Sequence, residues 1–454
     1  MTKITKKARA KAKPLSFDKK LVLNQFMINL FEAKDFPTLV KDLKDPRNEG
    51  YESDNVSRFH LSLVSHLHER SSLTDDLLRK YDENIVRHTM QISKNRDKII
   101  HWKYFQYLAL LFTEIYLDHY FHNRDRFLEE LNSFAHVFND DKAKSERITP
   151  YTEQDLNKLA FWSATGSGKT LIMHVNILQY LHYFRRTPKP GALNRVILLT
   201  PSEDLSKQHL KDFQISGLTA NVFDKNDGGL FPTKNITIID IHILKDEMGE
   251  KTVAVDAFEG NNLVLVDEGH RGSSGDEWKN KRERLSESGF AFEYSATFGQ
   301  AVSGKKELEQ EYAKAVIFDY SYKYFHADGY GKDYQILNLK DDNDDEVRNL
   351  YLTACLVSFY QQLRLFKDKG LVFRPFNVEK PLWVFVGGSV NAVRTQRGRK
   401  VSDVTDVLLF ISNFVKEEKK SVGLIKALLS GKPGLLDHNG VEIFKNSFPY
   451  LITL

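Results

Sequence analysis

Cysteine is nearly absent from this 454-residue chain: Cys355 stands alone. No disulfide can form within the chain, which suits a reducing cytoplasm. Cys355 falls in an apolar helical stretch, where a lone thiol is a small core residue rather than a nucleophile. No apolar run reaches about 18 residues, so no transmembrane helix is expected. The basic amino terminus runs into polar sequence, not into an apolar signal core. These absences point to a cytoplasmic chain with no membrane partner. Internal repeats are missing, as are low-complexity segments beyond the first residues. Net charge is small, +4 overall, too little to announce an anionic partner by itself.

That charge is unevenly spread. Residues 1–14 carry Lys3, Lys6, Lys7, Arg9, Lys11 and Lys13 with no acid. Such a tail is either a disordered, solvated terminus or a basic arm that touches phosphates. Residues 15–145 read as a mainly helical region, in which Trp102, Phe105, Ala109, Phe112 and Tyr116 recur at helical spacing. Aromatics this dense can stack on bases, but at this spacing they read as core. His60, His66 and His68 near Glu69 read as a solvated helix face rather than a metal site.

From about residue 146 the pattern changes. Short apolar strands at Leu159–Trp162, Arg195–Thr200, Ile236–Asp240, Leu263–Val266 and Ala291–Tyr294 alternate with helices. That alternation predicts an α/β domain with a parallel sheet covered on both faces. We place it at 146–378. Acids from Asp341 to Glu346 precede a helix with Leu352, Leu356, Phe359, Leu363 and Phe366 on one face, where they suit the helix dipole. A further strand at Leu382–Val386 opens a segment, 379–454, with a helix expected at 403–418.

The chemistry concentrates after these strands. Ala164-Thr165-Gly166-Ser167-Gly168-Lys169-Thr170 follows an apolar strand and opens a helix, the context that marks a phosphate-binding loop. Gly166 and Gly168 let the backbone approach phosphates and aim amides at them. The helix start adds positive partial charge. Lys169 is placed to reach the β- and γ-phosphates of ATP, and the Thr170 hydroxyl to ligate Mg2+. Ser163 stands where the strict pattern has glycine or alanine. Later, Asp267 and Glu268 end a buried strand. Adjacent acids at the sheet edge that carries the phosphate loop divide the work: Asp267 holds magnesium through a water, and Glu268 orients and deprotonates the attacking water. Ser295-Ala296-Thr297 again follows a strand directly.

In order, the loop, Thr200-Pro201-Ser202, Asp267-Glu268-Gly269-His270 and Ser295-Ala296-Thr297 resemble the motifs of superfamily-two helicases. Gly269, with Arg271-Gly272 beyond it, resembles the helicase subunit of type III restriction enzymes and related bacterial helicases of phage defence. Phe161-Trp162, Ser206-Lys207-Gln208-His209, Tyr322-Lys323-Tyr324-Phe325 and Asp328-Gly329-Tyr330-Gly331 point the same way. The resemblance covers about residues 150–415. It implies a RecA-like fold, ATP hydrolysis with Lys169, Asp267, Glu268 and His270 as catalytic residues, and nucleic acid as partner, DNA ahead of RNA. It further implies that Thr200, Pro201 and Ser202 lie against the backbone of one strand. His270 would link the γ-phosphate state to Ser295 and Thr297, coupling hydrolysis to movement. Gln154 would contact adenine. A methyltransferase, specificity or nuclease subunit is a further expected partner.

Such motors have a second RecA-like domain that supplies an arginine finger. Only its start is expected here, at 379–454, so the chain reads as lacking its C-terminal half. Gln396-Arg397-Gly398-Arg399 follows that domain's first strand too closely to be the finger and reads as a basic loop. The alternative function is an ATP-binding module that senses nucleic acid or a partner without translocating. A small-molecule kinase fits less well, because Thr200-Pro201-Ser202 and Ser295-Ala296-Thr297 have no place in it.

Overall fold

A computed structural model describes residues 15–65, 67, 73–187, 193–223, 235–245, 253–258, 260–268, 276–331, 336–340, 345–376, 378–386, 394–396, 399–431 and 433–453. The chain divides into two compact units near residue 332.

In the first unit the helices α1 (Val22–Asn29), α2 (Phe36–Leu39), α3 (Arg58–Val64), α4 (Asp75–Ser93), α5 (Tyr104–His122) and α6 (Arg124–Phe138) come first. Strands and helices then alternate: β1 (Lys158–Ser163), α7 (Lys169–Arg186), β2 (Arg195–Thr200), α8 (Glu203–Ile215), β3 (Ala220–Val222) and β4 (Ile236–Asp240). The two-residue strands β5 (Leu244–Lys245) and β6 (Val253–Ala254) pair with each other. After them come β7 (Asn262–Asp267), α9 (Asp276–Leu285), β8 (Phe290–Ser295), α10 (Phe298–Ala301), α11 (Lys306–Ala315), β9 (Val316–Tyr320) and α12 (Tyr322–Ala327). The main sheet has seven strands in the order β3-β4-β2-β7-β8-β1-β9. Every pairing in it is parallel. Its central strands are near-continuous apolar runs, as burial on both faces requires. The fold is thus α/β and RecA-like, behind a helical region.

All five expected strands form. Two partners of theirs, the three-residue β3 and the edge strand β9, escaped the periodicity. β9 lies beside β1 with a register shift between Ala160 and Phe161.

Helix α5 is buried almost continuously from Tyr104 to Leu117. A helix apolar all round belongs inside a fold, and α5 lies against the sheet. Phe105 stacks on Tyr320 of β9 with ring centroids 3.8 Å apart. Phe112 meets Phe31 and, edge-on, Phe318. The helical region and one face of the sheet therefore share one core. His60 is buried in α3 rather than on a solvated face; His66, His68 and Glu69 lie outside the described residues.

The second unit comprises α13 (Asp345–Asp368), α14 (Gly370–Phe373), a hairpin of β10 (Arg394–Gln396) with β11 (Arg399–Val401), α15 (Asp403–Lys416), α16 (Glu418–Leu429) and α17 (Pro449–Ile452). Its core joins Ala354 and Val357 to Leu428, Leu435, Phe444 and Phe448. Helix α13 buries Thr353, Ala354, Val357 and Gln361 rather than the expected stripe through Leu352 and Leu356, which is only half-buried. Cys355 is half-buried, and burial pushes its thiol up. The expected strand at Leu382–Val386 does not form. Leu382 is 82% and Val386 92% exposed; an apolar stretch becomes a strand only where a neighbour takes up its backbone hydrogen bonds. No parallel sheet occurs among the described residues of this unit. The expected basic loop at Gln396–Arg399 instead joins β10 to β11, with Arg397 and Gly398 outside the described residues. No described helix is long and apolar enough to cross a membrane.

A shared core predicts shared stability. Phe112→Ala should cost about 3–5 kcal/mol and loosen α5 and β9 together. Native-state hydrogen exchange checks this. Loss of protection in α5 with wild-type protection in β9 would show two independent cores.

Candidate nucleotide site at the carboxyl edge of the sheet

Parallel strands bring their carboxyl ends to one edge, where open α/β sheets bind ligands. Four of the expected motifs follow β1, β2, β7 and β8 directly and so meet at that edge.

The loop after β1 is held in a conformation that glycine permits. Gly166 and Gly168 have φ of +86° and +91°, in the left-handed region that a β-carbon disfavours. Ala164 N–H donates to Tyr320 O at 2.9 Å, tying the start of the loop to the end of β9. Ser167 N–H donates back to Ala164 O at 3.1 Å. Thr165 and Gly166 are exposed, whereas Ser167 is buried. The Ser167 hydroxyl has no hydrogen-bond partner among the described residues. Lys169 and Thr170 open α7. Lys169 Nζ lies 3.4 Å from Ser163 O and 3.9 Å from Glu268 Oε1.

A residue from outside the motifs completes the loop. Gln106, in the first turn of α5, donates from Nε2 to Ser167 O at 2.8 Å. Its Oε1 accepts from Lys103 N–H at 2.9 Å. A β-carbon at Gly168 would collide with this amide. No motif pointed to Gln106; the one available signal was a glutamine in the first turn of a helix whose first half is otherwise apolar. Phe325, beside Gly166, and Tyr330 form a tilted pair with centroids 5.6 Å apart.

At the end of β7, both oxygens of Asp267 are engaged. Oδ2 accepts from His209 Nε2 of α8 at 2.9 Å, and Oδ1 accepts from Glu268 N–H at 3.0 Å. Burial pushes the Asp267 carboxyl up, but the His209 hydrogen bond and the charges of His209 and Lys169 outweigh it and hold the group below its ordinary value. Glu268 has φ +54°. That conformation is strained for a glutamate, and such strain gathers at functional sites. His270, with Gly269, lies outside the described residues.

After β8, Ser295 is buried and its Oγ accepts from Thr297 N–H at 3.0 Å. The Thr297 hydroxyl is buried with no hydrogen-bond partner among the described residues. After β2, the Thr200 hydroxyl is turned inward, 2.6 Å from Ser206 Oγ. Pro201 and Ser202 are half-exposed, and Ser202 caps α8 through Leu205 N–H. What this turn offers to a partner is backbone, not the Thr200 side chain.

Gln154 is not at this edge. It is exposed just before β1, whose six residues carry the chain about 20 Å towards the loop. Gln154 precedes the strand and the loop follows it, so the two stand a strand's length apart. A cleft of about 710 Å³ opens at that opposite edge, lined by residues including Gln154, Asp155, Lys158 and Glu311. None of the motif residues lines it, and its chemistry is that of ion pairs such as Lys158 with Glu311.

A parallel sheet with a glycine loop and lysine after one strand and paired acids after another defines a RecA-like phosphate-loop domain. Residues 121–300 match the family model of the type III restriction enzyme, res subunit; they form a helicase-type domain of superfamily two. Among curated proteins no similar sequence was found. The matched segment begins within α5, beyond Gln106, and ends before β9. The two elements that flank the loop from outside thus lie beyond the match.

The left-handed φ at position 268 makes a stability prediction. Glu268→Gly should be more stable than Glu268→Ala by about 1 kcal/mol, because only glycine adopts this conformation without strain. Chemical denaturation of the two variants measures the difference. An alanine variant at least as stable as the glycine variant would mean that Glu268 is not held there.

Proposed function

We propose that the chain is a nucleic-acid-dependent ATPase of the helicase or translocase type, acting in a restriction or phage-defence system. The convergence of loop, acids and coupling residues at one sheet edge supports this most directly. The donor set suits a magnesium–triphosphate: glycine-rich backbone, a lysine, a threonine hydroxyl, a buried serine hydroxyl without a hydrogen-bond partner among the described residues, and a carboxylate beside them.

Ala164 to Thr170 cradle the phosphates, and Lys169 contacts the β- and γ-phosphates. Thr170 and, through a water, Asp267 hold magnesium, which when bound offsets phosphate charge. Glu268 lies across from Lys169, on the γ-phosphate side. It orients the attacking water and accepts its proton. Ser295 and Thr297 sense the phosphate state together with His270 and pass it on as movement. The turn Thr200, Pro201 and Ser202 meets the backbone of one nucleic-acid strand, DNA ahead of RNA. A methyltransferase, specificity or nuclease subunit is the protein partner that suits such a motor, and the cytoplasm its compartment.

Two variants separate binding from chemistry. Lys169→Ala removes the main cation facing the phosphates and should weaken Mg-ATP binding in calorimetry; equal affinities would sink the phosphate-loop assignment. Glu268→Gln should bind ATP as the wild type does, yet hydrolyse it at least about a hundredfold more slowly in the nucleic-acid-stimulated reaction. The same steady-state assay, run with single- and double-stranded DNA and RNA, tests the choice of partner. Unchanged turnover in Glu268→Gln would exclude Glu268 as the base.

A further inference from the structure

His209 belongs to none of the roles assigned so far. It is 3% exposed on α8, and its Nε2 lies 2.9 Å from Asp267 Oδ2. A carboxylate can only accept, so Nε2 carries the proton and donates. The other ring nitrogen, Nδ1, is buried with no hydrogen-bond partner among the described residues. Asp267 is thus the imidazole's one polar partner there.

The helix that carries this ring is fixed along its length. Ser206 Oγ meets Thr200 Oγ1 at 2.6 Å near its start. One turn beyond His209, Phe213 stacks on His174 of α7 at 4.4 Å. At its end, Ser216 Oγ lies 2.8 Å from His174 Nδ1 and accepts from Arg96 Nη2 at 2.9 Å. A ring on so fixed a helix defines one direction for the carboxylate it bonds. With the Glu268 amide on the second oxygen, both oxygens of Asp267 are constrained. Groups that orient a metal-side carboxylate in this way are worth about 10–100-fold in metal affinity.

We propose that His209 is a positioning residue for magnesium, holding Asp267 in the orientation that receives the ion's water shell. This rests on the nucleotide assignment above. It also joins two parts of the site: α8 starts at the Ser202 cap of the proposed strand-contact turn and carries the residue that aims Asp267.

The experiment is calorimetry with adenylyl-imidodiphosphate, in magnesium and in chelator, on the wild type, His209→Phe and His209→Gln. Phenylalanine keeps the ring against Phe213 but removes the donor. Glutamine keeps an N–H donor at similar reach. His209→Phe should lose about tenfold or more of the affinity measured in magnesium and none of that measured in chelator, and His209→Gln should recover most of the loss. Equal affinity in His209→Phe, an equal loss in both conditions, or a glutamine variant no better than phenylalanine would each overturn the assignment. A wild-type chain that binds no nucleotide in either condition would overturn the nucleotide assignment and this one with it, and the wild type alone reveals that case.

Discussion

Two hydrogen bonds from neighbouring elements hold the phosphate loop in shape. Ala164 N–H is bonded to the end of β9, and Ser167 O receives the Gln106 amide from α5. Gly166 lies between them and Gly168 just beyond, both in left-handed conformations that an unconstrained loop would hold only part of the time. Everything proposed for the site depends on that loop standing ready, because amides aimed in advance cost no reordering when phosphate arrives. The constraint explains why the helical region is built as it is. α5 must run alongside the sheet with its first turn at the carboxyl edge, and its continuous apolar surface secures that position. The first turn of α5 is therefore part of the phosphate loop's wall.

Much of this was legible from residue order. The five strands announced by apolar runs all form, and the glycine loop, Asp267-Glu268 and Ser295-Ala296-Thr297 fall at strand ends, as an α/β alternation with polar strand ends demands. What was not legible has physical causes. β3 has only three residues, and β9 runs straight on from α11 with no turn between them. Gln106 and His209 act through space, on Ser167 and Asp267, and neither spacing nor residue type marks such a contact. Gln154 misled because its short sequence distance from the loop hides the length of a whole strand. Leu382–Val386 misled for the opposite reason: its apolar run suits a strand, but strand formation is a property of pairs.

The acidic box shows local strain and global support acting on adjacent residues. Asp267 is the last residue of a buried strand, and its carboxylate is fixed by a backbone amide and a buried imidazole. Glu268, one residue on, leaves the sheet with a positive φ. An extended continuation would point successive side chains to opposite faces. The left-handed step breaks that alternation, and Glu268 Oε1 comes to lie 3.9 Å from Lys169 Nζ. The two adjacent carboxylates thus take different directions, and one strained residue supplies the turn between them.

α8 then connects what would otherwise be separate devices. Its cap, Ser202, belongs to the half-exposed turn after β2, and its third turn reaches Ser216, bonded to His174 of α7 and to Arg96 of the helical region. α7 begins at the phosphate loop itself. A displacement of the turn after β2 would therefore act on a helix already tied to Asp267 at His209 and to the phosphate-loop helix at His174. In the packed interior such ties transmit position rather than absorb it, because cores at crystal-like density have no room to yield. One short helix with a polar anchor to each thus links the turn after β2 to the acid at the end of β7, inside the same compact unit.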